Sequence, residues 1–234
     1  MASELKTNEV SMSGKQLPSG SLLIEMIGPA GSGKTSLIKA LCQHDERFAL
    51  CDRPGLFRRI LAFARLISLC PGLLIHRPRL SRDEIRAMIY LQAWHVIYSG
   101  GKQQAITLFD HGPLYRIAIL REFCTKLSNS TRFQQWLTDW SRRWLRTLDV
   151  VILLDAPNDI LMERVFARGE FRVLMTVSAE EARRLLDAYR SAFQRVLKSE
   201  LPPERSPLIL NFDTSSAASE DMLREILCKL ASLQ

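Results

Sequence analysis

The chain has 234 residues, 47% of them hydrophobic, with 32 Lys and Arg against 25 Asp and Glu for a net charge of +7. That length suits one core with insertions better than two independent domains, and no apolar stretch reaches the roughly 18 charge-free residues of a membrane-spanning helix. The five cysteines, Cys42, Cys51, Cys70, Cys124 and Cys228, are odd in number and form no C-x-x-C pair. That argues against a zinc or redox site and for reduced thiols in a cytoplasmic protein. The positive charge favours anionic partners, whether nucleotides, phosphorylated metabolites, nucleic acid or an acidic membrane.

Residues Met1 to Gly20 are polar, rich in Ser, Lys and Gly and free of any signal-like apolar run, so a disordered tail is expected there. The apolar run Leu22 to Ile27 then reads as a strand. It leads into Gly28-Pro-Ala-Gly-Ser-Gly-Lys-Thr35, a match to G-x-x-x-x-G-K-[ST], and Ser36 to Leu41 continues as a helix. Glycines in this pattern let backbone N–H groups turn inward around an anion at the helix N-terminus. Lys34 is placed to reach the β- and γ-phosphates of a nucleoside triphosphate, and the Thr35 hydroxyl to ligate magnesium. The expected nucleotide-binding set is Gly28, Gly31, Ser32, Gly33, Lys34, Thr35 and Ser36, with ATP and Mg2+ as cofactors.

A short strand is expected near Phe48 to Cys51. Beyond it, Arg53 to Arg82 carries seven arginines and no acidic residue. Its middle is an amphipathic, arginine-bearing helix, and three readings stand open: a lid over an anionic acceptor, an interface helix against an acidic membrane or lipid-like acceptor, or a packing helix with solvated arginines. Nucleic acid is disfavoured because no aromatic residues alternate with the arginines.

Ser81 with Glu84 fits the S-x-x-E box that opens a helix, and Gly100-Gly101 ends it. Arg86, Gln92 and His95 lie on that helix. The strand Ala105 to Phe109 places Asp110 at the carboxyl edge of the sheet, where it can hold magnesium or orient an attacking oxygen. The following residue is His111, not the second acid common in water-activating ATPases, and no N-K-x-D or L-S-G-G-Q segment is present. The helix Thr131 to Leu148 carries Phe133, Trp136, Leu137, Trp140, Trp144, Leu145 and Leu148 on one face, a core stripe in preference to a base-stacking platform.

Further strands are expected at Val150 to Leu154 and Leu208 to Phe212, with helices opened by Ser178-Glu181 and Ser219 and a stop at Pro202-Pro203. Each strand is short and apolar, as befits a parallel sheet covered on both faces. Between the last two strands lie Leu153-Leu-Asp-Ala-Pro157 and Glu163-Arg-Val-Phe-Ala-Arg-Gly169. Arg164 and Arg168, four apart, share a helix face and can act on phosphate oxygens without losing their charge.

Together the P-loop, the strand-end Asp110 and the L-D-x-P segment with its R-x-x-x-R-G helix resemble the P-loop nucleoside and nucleotide kinase superfamily, in its thymidylate-kinase-like branch. The resemblance runs from Leu22 to the C-terminus. It implies a three-layer α/β/α sandwich with a mainly parallel five-stranded sheet, a helical acceptor-covering insertion at 53–80 and a short lid at 168–178, in one domain spanning 21–234. It implies catalytic roles for Lys34, Asp110, Arg164 and Arg168, with Arg172 a weaker lid candidate. The loop from Asn211 through Asp213 resembles the one that packs against adenine. The implied activity is transfer of the ATP γ-phosphate to a small molecule, a nucleoside monophosphate or nucleoside. A sugar, lipid or other hydroxylated metabolite is the alternative acceptor, and an ATP-binding regulatory module or partner-controlled NTPase the alternative class. Thymidylate kinases usually carry an acid in the P-loop and an arginine after the strand-end aspartate. Pro29-Ala30 and His111 stand here instead, which leaves the acceptor open, as are a homodimer and peripheral membrane contact through 53–80.

Overall fold

The structure is a computed structural model, and it describes residues 21–69, 80–99, 106–124, 127, 129–169, 176–199, 205–215 and 219–232. The expected N-terminal tail, Cys70, the stops at Gly100-Gly101 and Pro202-Pro203, and Arg172 lie outside these residues.

In chain order the elements are β1 (Leu23–Ile27), α1 (Lys34–His44), β2 (Phe48–Leu50), α2 (Leu56–Leu69), α3 (Arg82–Tyr98), β3 (Ile106–Asp110) and α4 (Pro113–Phe123). They continue as α5 (Thr131–Thr147), β4 (Val150–Asp155), α6 (Asn158–Arg168), α7 (Ala179–Ser199), β5 (Leu208–Asp213) and α8 (Ser219–Ala231). All strand pairings are parallel, and the sheet order is β2-β3-β1-β4-β5. Chain order reverses on either side of β1, so the ends of β1, β3 and β4 form the crevice in which open α/β sheets bind ligands.

Alternation along the strands sorts side chains onto two faces. Ile24 and Met26 of β1, Leu108 of β3 and Ile152 and Leu154 of β4 pack with Leu37, Ile38 and Leu41 of α1 and Ile226 of α8. Leu23, Ile27, Phe109 and Val151 face a larger core built from α3, α4, α5 and α7. The three-layer sandwich expected from the sequence is therefore present. Two residues of this alternation matter for the site. Asp110 falls in register with Leu108 on the α1 side, and Glu25 falls with Leu23 and Ile27 on the side of α4.

The capping signals are realised in atoms. Glu84 N–H donates to Ser81 Oγ at 3.2 Å while Ser81 N–H donates to Glu84 Oε2, and the Ser178–Glu181 pair repeats the box at the start of α7. Ser130 Oγ accepts from Phe133 N–H and opens α5. The tryptophan stripe of α5 is core: Phe133, Trp136, Leu137, Trp140, Trp144 and Leu145 are buried. Trp144 also donates its indole N–H to Leu91 O at 3.3 Å, satisfying the polar end of the largest fully buried side chain.

The outer face of α2 departs from a plain packing helix. It packs along α3, with Ala62 and Leu66 buried, while Leu56, Phe57, Ile60, Leu61, Phe63 and Ile67 are exposed.

Candidate active site at the P-loop

The path of the loop is set by close backbone approach. Gly28, at φ 152°, passes so near β4 that a Cβ would lie 2.1 Å from Leu154 O. Gly31, at φ 81°, would place a Cβ 2.5 Å from Leu161 O of α6. Neither site admits a side chain without moving backbone, so glycine fixes how the loop seats between β4 and α6.

Lys34 begins α1 and folds back into its own loop. Its Nζ donates to Gly28 O at 2.9 Å, Pro29 O at 2.8 Å and Ser32 Oγ at 3.3 Å. Burial pulls its pKa down to about 8, with Asp110 acting in the opposite sense and Arg168 reinforcing the shift. Thr35 Oγ1 donates to Asp110 Oδ2 at 3.3 Å. Asp110 Oδ1 is buried without a hydrogen-bond partner among the described residues, and His111 Nδ1 lies 3.4 Å from it. A hard oxygen left unused beside a threonine hydroxyl fits a divalent cation that completes its coordination with water and phosphate oxygens. Among the described residues no group of three or more His, Cys, Asp or Glu side chains gathers to hold a metal by itself.

His111 sits at φ 52°, in the left-handed region, which turns its ring from the strand end onto Tyr115 at a centroid distance of 4.5 Å. Burial lowers its pKa, against the pull of Asp110. Gly28, Gly31, Gly33, Lys34, Thr35, His111, Tyr115, Arg168 and Tyr189 line one cavity of about 120 Å³.

The two arginines of α6 part company. Arg168 donates to Ser36 Oγ at 2.9 Å and lines the P-loop cavity. Arg164 donates to Thr214 Oγ1 at 3.0 Å and Thr214 O at 2.7 Å, with a longer contact to Gly31 O at 3.5 Å. It ties the P-loop to the loop after β5, and the pair does not converge on one point. Asp155 of the L-D-A-P segment turns away to α7, where Arg190 Nε donates to both its oxygens at 2.9 and 2.7 Å and Arg190 Nη2 to Ala156 O at 2.6 Å.

Glu25 is a functional residue that no sequence motif marks. It is fully buried in β1 and accepts N–H bonds from Leu114 and Tyr115 at 2.9 Å each, which caps the N-terminus of α4. Burial pushes its pKa up to about 8, against those two bonds and the nearby charge of Arg116. A Cβ on Gly112 would meet Glu25 Cδ at 2.9 Å, so the glycine makes room for the capping carboxyl. The signal was a lone acid inside Leu-Leu-Ile-Glu-Met-Ile.

Beyond the carboxyl edge a second cavity, about 580 Å³, opens between the start of α2, α3 and α4. Tyr115 lines it as well as the P-loop cavity, so the two adjoin. Arg53, Arg59, Arg86 and Arg116 line it. Arg86 pairs with Asp83 at 3.1 Å, whereas Arg59 Nε and Arg116 Nε are buried without a partner among the described residues. The Arg116 guanidinium lies 4.8 Å from the Tyr90 ring and 5.1 Å from that of Trp94, held between aromatic faces. Of the α3 residues noted from sequence, Gln92 is buried with its Nε2 unpartnered among the described residues, and His95 packs edge-on to Trp140 and Trp144. Neither lines this cavity.

Comparison with solved structures finds the same arrangement of elements in a deoxyadenosine kinase from M. mycoides. With bound dCTP it matches at a TM-score of 0.53 and 15% identity, covering 90% of this chain and 100% of that one. With bound dATP it matches at 0.53 and 14%, covering 89% and 98%. With the products dCMP and a flexible dCDP bound it matches at 0.55 and 13%, covering 91% and 100%. The chain shares the fold of that kinase, helices on both faces of a parallel five-stranded sheet. No protein-family model matches the sequence, and no curated protein matches it either. That fold is thus carried here by a sequence far from those of its structural neighbours.

Proposed function

We propose that this protein is an ATP-dependent phosphotransferase whose small-molecule acceptor carries a phosphate of its own, as a nucleoside monophosphate does. The observation that carries the reading is the adjacency of two basic cavities: a P-loop cavity holding Lys34, Thr35 and Arg168, and a larger one lined by four arginines.

In this reading the loop N–H groups and Lys34 hold the β- and γ-phosphates, and Arg168 closes from α6 onto the transferring group. Thr35 and Asp110 would hold Mg2+, which would neutralise charge on the phosphates. Arg164 acts at one remove, fixing the P-loop against the loop after β5. In this reading Lys34, Asp110 and Arg168 take the roles that the sequence suggested, and Arg164 becomes a positioning residue.

The acceptor argument is electrostatic. With its carboxyl raised to about 8, Glu25 is mostly protonated at neutral pH and leaves the Arg116 charge without a compensating carboxylate. Asp83 is paired with Arg86, and Glu84 is engaged in its capping box. A half-buried guanidinium whose Nε has no partner among the described residues is stabilised by an anion in the adjoining cavity, and a phosphate matches its planar donors. Such an acceptor arrives already ionised, so its oxygen attacks without a general base and Asp110 is left to the metal and Thr35. The structural neighbours, a kinase with deoxynucleotides bound, agree with a nucleotide-sized molecule beside the P-loop by analogy of fold.

The test is a transfer assay with labelled ATP against paired acceptors, each nucleoside and sugar offered with and without its phosphate. The phosphorylated partner of a pair should be preferred, and Arg116→Gln should raise KM for that acceptor about a hundredfold while leaving ATP binding intact. Preference for the unphosphorylated partner, unchanged by Arg116→Gln, would refute the acceptor assignment and leave the kinase reading standing. ATP binding with no transfer to any acceptor would favour the regulatory module instead.

A further inference from the structure

The outer face of α2 is the largest feature that the phosphotransferase reading does not use. Leu56 is 65% exposed and Phe57 73%, and Ile60, Leu61, Phe63 and Ile67 are exposed beside them. Six of the exposed large hydrophobic residues described in the chain therefore lie on this one helix. At 3.6 residues per turn they and Ala64 fall within an arc of roughly 160° that Ser68 also enters, while Ala62 and Leu66 turn inward to α3. Arg58 and Arg65, seven residues apart and both exposed, border that arc on one side. An apolar surface so concentrated marks a contact, not random exposure.

Charge selects the partner. No acidic residue occurs between Arg53 and Arg82, and the whole chain carries +7. A second copy docked through the same face by two-fold symmetry would bring Arg58 and Arg65 towards their own equivalents, with no carboxylate on the helix to offset them. Apolar side chains bordered by arginines suit instead the boundary between acyl chains and negatively charged headgroups. At 14 residues α2 lies along such a surface and does not cross it, and no helix among the described residues is long and apolar enough to span a bilayer. We propose that α2 docks this protein onto an anionic bilayer, its apolar arc in the headgroup boundary and its arginines on the lipid phosphates. Arg59, on the inner side of the same helix, lines the arginine cavity, so docking through the outer face leaves it to that cavity. The docking claim itself stands apart from the kinase reading.

Flotation of the full chain with phosphatidylcholine vesicles, and with vesicles containing about 30% phosphatidylserine, tests it. Binding should be about tenfold stronger on the anionic vesicles and fall as salt is raised. The double variant Phe57→Ser/Ile60→Ser should lose at least about tenfold, and Arg58→Gln/Arg65→Gln should lose the preference for anionic lipid. Circular dichroism and ATP affinity serve as fold controls, since none of these residues belongs to the nucleotide site. Absence of flotation, equal binding to neutral vesicles, or a dimer in sedimentation that Phe57→Ser/Ile60→Ser converts to monomer would each overturn the proposal.

Discussion

Nucleotide binding should take up protons, and Lys34 supplies the reason. In the free protein its ammonium is buried against loop carbonyls and its pKa is lowered to about 8. At pH 8 about half of the molecules hold it neutral, and at pH 9 about nine-tenths do. A phosphate charge about 4 Å away, at an effective dielectric near 20, contributes about 4 kcal/mol, or roughly three pKa units, which keeps the ammonium charged beyond pH 10. Binding of a non-hydrolysable ATP analogue should therefore draw in about 0.5 proton at pH 8 and about 0.9 at pH 9. Apparent affinity should weaken about fivefold between pH 8 and pH 9, because only the charged fraction binds well. Titration calorimetry in buffers of differing ionisation enthalpy reads the uptake directly. Glu25 also titrates near 8, but it faces α4 from the opposite side of β1 and should contribute equally to wild type and Lys34→Ala. Uptake absent from the wild type, or undiminished in Lys34→Ala at saturating ligand, would refute the assignment of Lys34 to the phosphates.

Other outcomes follow from the same geometry. Gly31→Ala forces a Cβ to 2.5 Å from Leu161 O at a positive φ, and should cost about 2–4 kcal/mol in denaturant melts and abolish stabilisation by ATP; an unchanged midpoint would contradict the packing described. For Glu25 the folded pKa of about 8 stands above the ordinary 4.5, so its stabilising share is complete below pH 4.5 and disappears as pH rises through 8. Urea melts of wild type should lose up to about 4 kcal/mol from this source between pH 5 and 8, and Glu25→Gln should flatten that slope; parallel profiles would show the carboxyl to be ionised throughout. Arg164→Ala should raise KM for ATP about tenfold with little change in kcat, whereas Arg168→Ala should lower kcat about a hundredfold; the reverse pattern would exchange their roles.

Much of the architecture was legible because parallel strands buried on both faces leave short apolar runs, and caps such as Ser81-Glu84 and Ser178-Glu181 announce their helices. The strand-end position of Asp110 followed from the same pattern, and the contact with Thr35 then required only that β3 lie beside β1. What spacing along one helix could not tell was where each side chain ends. Arg164 and Arg168 share a face of α6, yet one meets the loop after β5 and the other Ser36 at the start of α1. Glu25 was hidden for a different reason: its partners are backbone N–H groups about ninety residues away, which leave no motif. The arginine cavity assembles Arg53 and Arg59 with Arg86 and Arg116 from separate segments, so only tertiary packing reveals it as one site.

The central claim is that the P-loop here serves phosphoryl transfer. It is tested most directly by following the labelled γ-phosphate of ATP into phosphorylated acceptors with wild type and Lys34→Ala side by side. The account predicts an acceptor-dependent labelled product with wild type and a loss of at least about a thousandfold in Lys34→Ala of unchanged fold. Transfer by Lys34→Ala at the wild-type rate would contradict it, as would wild-type protein that binds ATP tightly and labels no acceptor.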